Sequence, residues 1–175
     1  MTRKFGIREN RPGDAAGVVK LYETAFPDED LVPLVRELLN LGPRVLSLVD
    51  AHENDIQGHI CFTFCGVAEI EDKVALLAPL AVAPTRQKQG VGSALVREGF
   101  KRLKKAKINY VFVLGDPRYY NRFGFQAESK VTTPYPLPSE WLEAWQSTKL
   151  FDAEVALAGR LIVPEAWQQK ALWSS

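Results

Sequence analysis

Two cysteines and two histidines are all the thiol and soft metal-ligand chemistry that 175 residues offer. Cys61 and Cys65 lie in GHICFTFCGV, a run with strand character. Four residues of extended chain span about 13 Å, well past the ~7 Å Cα separation that a disulfide tolerates. The pair shares a face without bridging, and neither His52 nor His59 has a ligand spacing to it. Buried free thiols are therefore expected, and a metal site is not. An excess of charge is lacking too: 22 basic against 21 acidic residues leave a formal net charge of +1. That balance removes the overall electrostatic case for a nucleic-acid or anionic-membrane partner. No run approaches the ~18 apolar residues of a membrane span, and MTRKFGIREN has no apolar core of signal-peptide length. A cytoplasmic location is the default expectation. Repeats, low-complexity tracts and linkers are also missing, so residues 1–175 read as one domain, able to bury roughly 70% of its unfolded surface.

What is present concentrates in LAVAPTRQKQGVGSALV, residues 80–96. An apolar run ends at Pro84, a polar loop carries Arg86 and Lys88, and Gly90 and Gly92 open a segment of helical periodicity reaching about Lys107. A helix start presents unpaired N–H groups and the positive end of the helix dipole, a place to hold a phosphate. Glycine lets the backbone approach the anion without a Cβ in the way. Three readings compete on spacing alone. A ligand-free strand-to-helix turn is one. A dinucleotide fingerprint is the second, but GVGSAL ends in Leu95 where Gly or Ala is needed, and the loop from Pro84 to Gln89 separates it from its strand. The third is a coenzyme A pyrophosphate cradle, whose spacing of Gln or Arg, two residues, Gly, one residue, Gly or Ala is met by Gln87-Lys88-Gln89-Gly90-Val91-Gly92.

Around this stretch the chain alternates between strand and helix periods. A short strand at 5–9 precedes a helix with Val18, Leu21, Tyr22 and Ala25 inward, and a second with Leu31, Leu34, Val35, Leu38 and Leu39, where Pro33 falls in the first turn. VLSLVDAHE and GHICFTFCGVAEI flank a hairpin turn at Asn54–Gly58, and a third strand, VALLAPLAVAP, follows. The run 108–116 is apolar and β-branched enough for a buried strand, and a strand–helix–strand unit makes it parallel to 74–83. Pro79 cannot donate to a ladder, so the two strands are expected to part beyond it. A helical turn at Tyr119–Phe123 leads to FGFQAES. Residues 130–150, with Pro134, Pro136, Pro138, Trp141 and Trp145, read as a long connection, either a binding loop or a strap whose tryptophans pack on the core. AEVALAGRLIVPEAW supplies a last strand, which leaves monomer and homodimer both open.

Two motifs in this order, LAPLAVAPTRQKQGVGSALV and VFVLGDPRYYNRFGF at 111–125, resemble a bacterial branch of the GNAT family of acetyl-CoA-dependent N-acyltransferases. The resemblance implies an α/β (α+β) fold: a mixed, mostly antiparallel sheet of six to seven strands with a splayed parallel pair, flanked by about four helices. It implies acetyl-CoA as cosubstrate and a small-molecule or peptide amine as acceptor, bounded by Tyr22–Asp30 and Val131–Leu150. Leu80, Ala81 and Val82 would offer backbone contacts to the pantetheine, and Gln87, Lys88, Gln89, Gly90, Val91, Gly92 and Ser93 would cradle the diphosphate. The family's tyrosine, four residues before the Gly of a Gly-Phe pair, falls on Tyr120, as general acid to the departing thiolate and a cofactor contact. Adjacent Tyr119 would point about 100° away on a helical turn. No carboxylate stands on VALLAPLAVAP. Asp116 is the nearest base candidate, although Gly-Asp-Pro is also ordinary capping chemistry, and Glu69, Glu71 and His52 stand behind it. That missing carboxylate keeps a non-catalytic acyl-CoA binding or sensing module as the alternative.

Overall fold

The structure is a computed structural model and describes residues 5–68, 70–152 and 157–174. Its elements run β1 (Ile7–Glu9), α1 (Ala15–Ala25), α2 (Val32–Leu39), β2 (Val45–His52), β3 (Asp55–Val67), β4 (Ile70–Val82), α3 (Val91–Lys105), β5 (Tyr110–Leu114), α4 (Pro117–Tyr120), β6 (Gln126–Ala127), β7 (Val131–Thr132), β8 (Trp145–Lys149) and β9 (Gly159–Ile162), with short 3-10 turns between them. They form two compact units, residues to Phe62 with Ala78–Lys101, and Thr63–Leu77 with Arg102 onward. Strand order is β1-β2-β3-β4 in the first and β9-β3-β4-β5-β8-β6 in the second. Among the described residues no helix is long and apolar enough to cross a membrane, and no cluster of His, Cys, Asp or Glu could hold a metal ion.

In the first unit the helical stripes behave as their spacing requires. Val18, Leu21 and Tyr22 of α1 and Val35 of α2 form one buried cluster with Val49 of β2 and Ala81 of β4. The entry to α1 is fixed by Arg8, which donates to both carboxylate oxygens of Asp14 at 2.7 and 2.9 Å. Those bonds hold the Asp14 carboxyl below the usual range. Helix α3 approaches β3 through glycine: a Cβ on Gly58 would lie 2.7 Å from Val91 Cγ1 and 2.9 Å from Leu95 Cδ1, and one on Gly99 would overlap the Phe62 ring. Two missing side chains, one on the strand and one on the helix, set how near they pack.

In the second unit Val74–Leu77 of β4 pairs in parallel with Tyr110–Val113 of β5, and the ladder stops at Leu77↔Val113, ahead of Pro79. This is the parallel pair and the early end that the proline predicts. On its other edge β5 pairs antiparallel with β8 from Tyr110↔Lys149 to Leu114↔Trp145. Here the reading of 130–150 as a connection is corrected, because Trp145–Lys149 is a strand next to the parallel pair and Val131–Thr132 is the short strand β7. WQSTK has no apolar alternation to announce a strand; pairing on both edges, with β5 and β6, makes it one. Trp145 stacks on Phe112 with centroids 5.5 Å apart and donates its Nε1–H to Val131 O at 2.8 Å. The strap alternative is thus right for Trp145, a buried core residue. Among the described residues nine strands are present where six or seven were expected; β6 falls in the FGFQAES run, and β7 and β8 are the additional ones. Trp167 and Trp173 are buried as well, their indole N–H groups donating to Thr63 Oγ1 and Trp167 O. Cys61 and Cys65 are buried free thiols. Positions 153–156, at the start of the expected last strand, lie outside the described residues.

Candidate functional site

Strand β4 ends at Val82, and a 3-10 turn at Pro84–Arg86 carries the chain to α3. Residues 84–90 are exposed and are fastened chiefly by polar groups. Gln87 Nε2 donates to Val82 O at 3.2 Å, Gln89 Nε2 to Thr85 O at 3.1 Å, and Arg86 Nε to Gln57 Oε1 at 3.2 Å. Gln57 also accepts Ala83 N–H on its main-chain oxygen at 2.8 Å. Lys88 and Gly90 are left-handed, with φ of +62° and +86°. Left-handed residues in a tight loop turn main-chain N–H groups toward one side, the backbone form of an anion-binding concavity. For Lys88 that conformation costs on the order of 1 kcal/mol; Glu53, Ala68 and Lys107 adopt it too, so it is not peculiar to this loop. A Cβ on Gly90 would have room, 3.6 Å from the Phe5 ring; glycine is needed there for its dihedral.

The first intrahelical bond of α3 is Ala94 N–H to Gly90 O, 3.0 Å. The N–H groups of Val91, Gly92 and Ser93 precede it, at the positive end of a fifteen-residue helix. The candidate cradle residues Gln87 to Ser93 are therefore one continuous loop-to-helix segment, exposed through Gly90, buried at Val91 and Gly92 and half-buried at Ser93. Gln87 joins it to Val82, the last of the three candidate strand residues Leu80, Ala81 and Val82; of these Ala81 is buried and the other two are half-buried. A cavity of about 360 Å³ opens in the same unit between α1 and α2, lined by Phe26, Pro27, Asp28, Glu29 and Asp30 among others.

Tyr120 and Asp116 belong to the second unit and sit on one short helix. Asp116 caps α4, accepting Arg118 N–H at 2.9 Å on Oδ1, and its carboxylate is also gripped by the Arg118 guanidinium at 3.2 and 3.3 Å. Those bonds hold its carboxyl below the usual range. Tyr120 packs edge-on against Tyr119 and Phe125, at 5.0 and 5.6 Å. Its hydroxyl makes no hydrogen bond to a described residue, and burial pushes its pKa up. Tyr119 is held differently: the Arg122 guanidinium lies 4.6 Å over its ring while Arg122 Nε donates to Tyr119 O. The two tyrosines are thus distinct in environment as well as direction.

Gly115 was not singled out in the sequence, yet a Cβ there would come within 2.5 Å of Tyr120 Cε2. Its signal was legible, as a glycine ending an apolar strand four residues after Val111. Gln57 and Gly58 read as hairpin turn, but β3 already begins at Asp55 and both lie in it; nothing local tells that Gly58 abuts a helix and Gln57 fastens a loop. Of the weaker base candidates, His52 places Nε2 3.3 Å from Asp50 Oδ1, and Glu69 and the Glu71 side chain lie outside what is described.

Comparison with known proteins bears on the family and the fold. The family model described as Acetyltransferase (GNAT) family matches residues 15–125. The N-acetyltransferase YjhQ of Escherichia coli K12 is 34% identical over 156 residues, covering 85% of this chain and 86% of that protein. The N-acetyltransferase YhbS of the same strain is 34% identical over 121 residues, 69% and 72% of the two chains. A crystal structure of YhbS in complex with CoA has a TM-score of 0.86 at 28% identity, over 97% of this chain and 94% of that one. A GNAT acetyltransferase from Brucella melitensis, in complex with acetyl-CoA, reaches 0.77 at 28% identity over 95% and 100%. By sequence and by fold, this chain belongs to the GNAT family of acetyltransferases.

Proposed function

We propose that residues 1–175 act as one N-acetyltransferase domain that moves the acetyl group of acetyl-CoA to a primary amine, by direct attack of the amine on the thioester. The observation that carries the reading is the start of α3: Val91, Gly92 and Ser93 offer N–H groups behind a loop with left-handed Lys88 and Gly90. A diphosphate suits that surface, with Gln87, Lys88 and Gln89 at its mouth. Leu80, Ala81 and Val82 lie where the β4–β5 ladder has already ended, so their main-chain groups are assigned to the pantetheine and the thioester carbonyl. A backbone N–H of Ala81 or Val82 polarises that carbonyl as negative charge develops on its oxygen. Tyr120, kept protonated by burial, donates its phenolic hydrogen to the departing sulfur. Asp116 is a poor base, being engaged by Arg118 with its carboxyl held low. The proposal leaves it the capping role and has the amine reach the site neutral or lose its proton through water. Membership of a family of transferases favours this over the non-catalytic module.

The acceptor is a small-molecule or peptide amine, placed on the side of the α1–α2 cavity. The test is release of CoA thiol from acetyl-CoA across a panel of primary amines, with titration calorimetry of CoA binding to Gly90→Glu and Gly92→Glu. Turnover with at least one amine and lost CoA binding in both variants are expected. Normal CoA affinity in both folded variants, or no thiol release with any amine, would count against the reading.

A further inference from the structure

A chain of polar groups, buried at Tyr22 and His59 and half-buried at Ser47, lies beneath α1, and the proposed chemistry does not use it. His59 of β3 is fully buried, and both ring nitrogens are engaged. Its Nδ1 lies 2.7 Å from the Tyr22 hydroxyl, its Nε2 2.8 Å from Ser47 Oγ and 3.5 Å from Cys61 Sγ. Tyr22 is on α1, Ser47 on β2, and His59 and Cys61 on β3. Burial pushes the His59 pKa down to about 3, so the imidazole is neutral with one donor and one acceptor nitrogen. In either tautomer both are satisfied, one by the phenol and one by the serine.

Apolar packing alone is nondirectional, and a helix on a greasy sheet face has several near-equivalent seats. A hydrogen-bond chain is directional and becomes costly to break once buried. This chain runs from the helix through β3 to β2, and the helix it seats packs Val18, Leu21 and Tyr22 in one cluster with Ala81. The Tyr22 ring also stacks on Phe26, at 6.1 Å, at the lip of the α1–α2 cavity. We infer that Tyr22, His59 and Ser47 are positioning residues: their hydrogen-bond chain fixes the seat of α1 on the sheet and thereby the backbone of Leu80–Val82 that receives the acyl end of the cosubstrate. This rests on the acetyl-CoA reading above and names three residues that act on it from a distance.

Two ligands separate the acyl end from the cradle: acetyl-CoA, and adenosine 3′-phosphate 5′-diphosphate, which carries the diphosphate and lacks the pantetheine. Titration calorimetry is run on the unsubstituted protein and on Tyr22→Phe, Ser47→Ala and His59→Gln. Tyr22→Phe keeps the ring and loses the bond. It is expected to weaken acetyl-CoA by about tenfold while the nucleotide stays within about twofold. Ser47→Ala should show the same split. His59→Gln, whose amide supplies one acceptor and one donor, should recover most of the acetyl-CoA affinity, and hydrogen exchange in residues 15–25 should speed up only where the bond is lost. A loss shared equally by both ligands, or by neither, overturns the inference, as does a His59→Gln as impaired as Tyr22→Phe. An unsubstituted protein that binds neither ligand overturns the acetyl-CoA reading first and this one with it; normal binding there with no split in the variants overturns this one alone.

Discussion

Acidification should unfold this protein through His59 before its carboxylates protonate. Burial takes the imidazole from its ordinary 6.5 to about 3, so between those values the unfolded chain binds a proton that the folded chain refuses. Stability therefore falls as pH drops through 6.5 and keeps falling until pH reaches the folded value. At pH 5 the loss is RT ln(1 + 10^1.5), about 2 kcal/mol, and each further unit toward pH 4 removes about 1.4 kcal/mol more. The figure at pH 5 depends on the unfolded-chain value alone, provided the folded one lies below about 4. With a urea m-value of about 2 kcal/mol/M, the denaturation midpoint should move down by about 1 M between pH 7 and pH 5. His59→Gln keeps a donor and an acceptor in place and does not titrate, so its midpoint should move much less over that interval. Contributions common to both proteins cancel in the comparison. Equal shifts in the two proteins would refute the claim that a buried neutral imidazole sets the acid sensitivity.

Four further outcomes are expected. Gly58→Ala puts a methyl 2.7 Å from Val91 Cγ1 and 2.9 Å from Leu95 Cδ1; urea unfolding should show a loss of about 1–3 kcal/mol and calorimetry a weaker CoA complex, because the first turn of α3 must move. Tyr120→Phe should lower kcat about 100-fold with the acetyl-CoA KM nearly unchanged, whereas Tyr119→Phe stays near the parent rate; equal rates in all three proteins would remove the acid assignment. Gly115→Ala should push the Tyr120 ring from its place and lower kcat, and combining it with Tyr120→Phe should add little, a non-additivity that steady-state rates can read directly. Trp145→Phe retains an aromatic on Phe112 and strands the buried Val131 carbonyl, so thermal or urea unfolding should report about 1–3 kcal/mol of lost stability.

The strongest local signals in the chain were also the ones that survived folding. Apolar residues at helical spacing gave α1 and α2 nearly to the residue, and Pro79 announced where the β4–β5 ladder stops. The order Gln87, Gly90, Gly92 gave a helix start with a left-handed glycine before it. Strand β8 was not legible, since WQSTK has neither alternation nor turn signals at its ends. It is a strand because β5 and β6 present ladder groups on both its sides, and no local window contains those partners.

By itself, then, the sequence determined what is short-range: the period of each helix, the glycine and proline positions that end or bend the backbone, and the two motifs through which the chain resembles its family. Tertiary structure alone decided which groups became neighbours across long stretches of chain. It set Gly58 against Val91, brought His59 between Tyr22 and Ser47, and laid Trp145 on Phe112. The physical reason is that conformational preference acts over a few residues, whereas burial and hydrogen-bond satisfaction are settled by whatever the folded chain brings within contact distance.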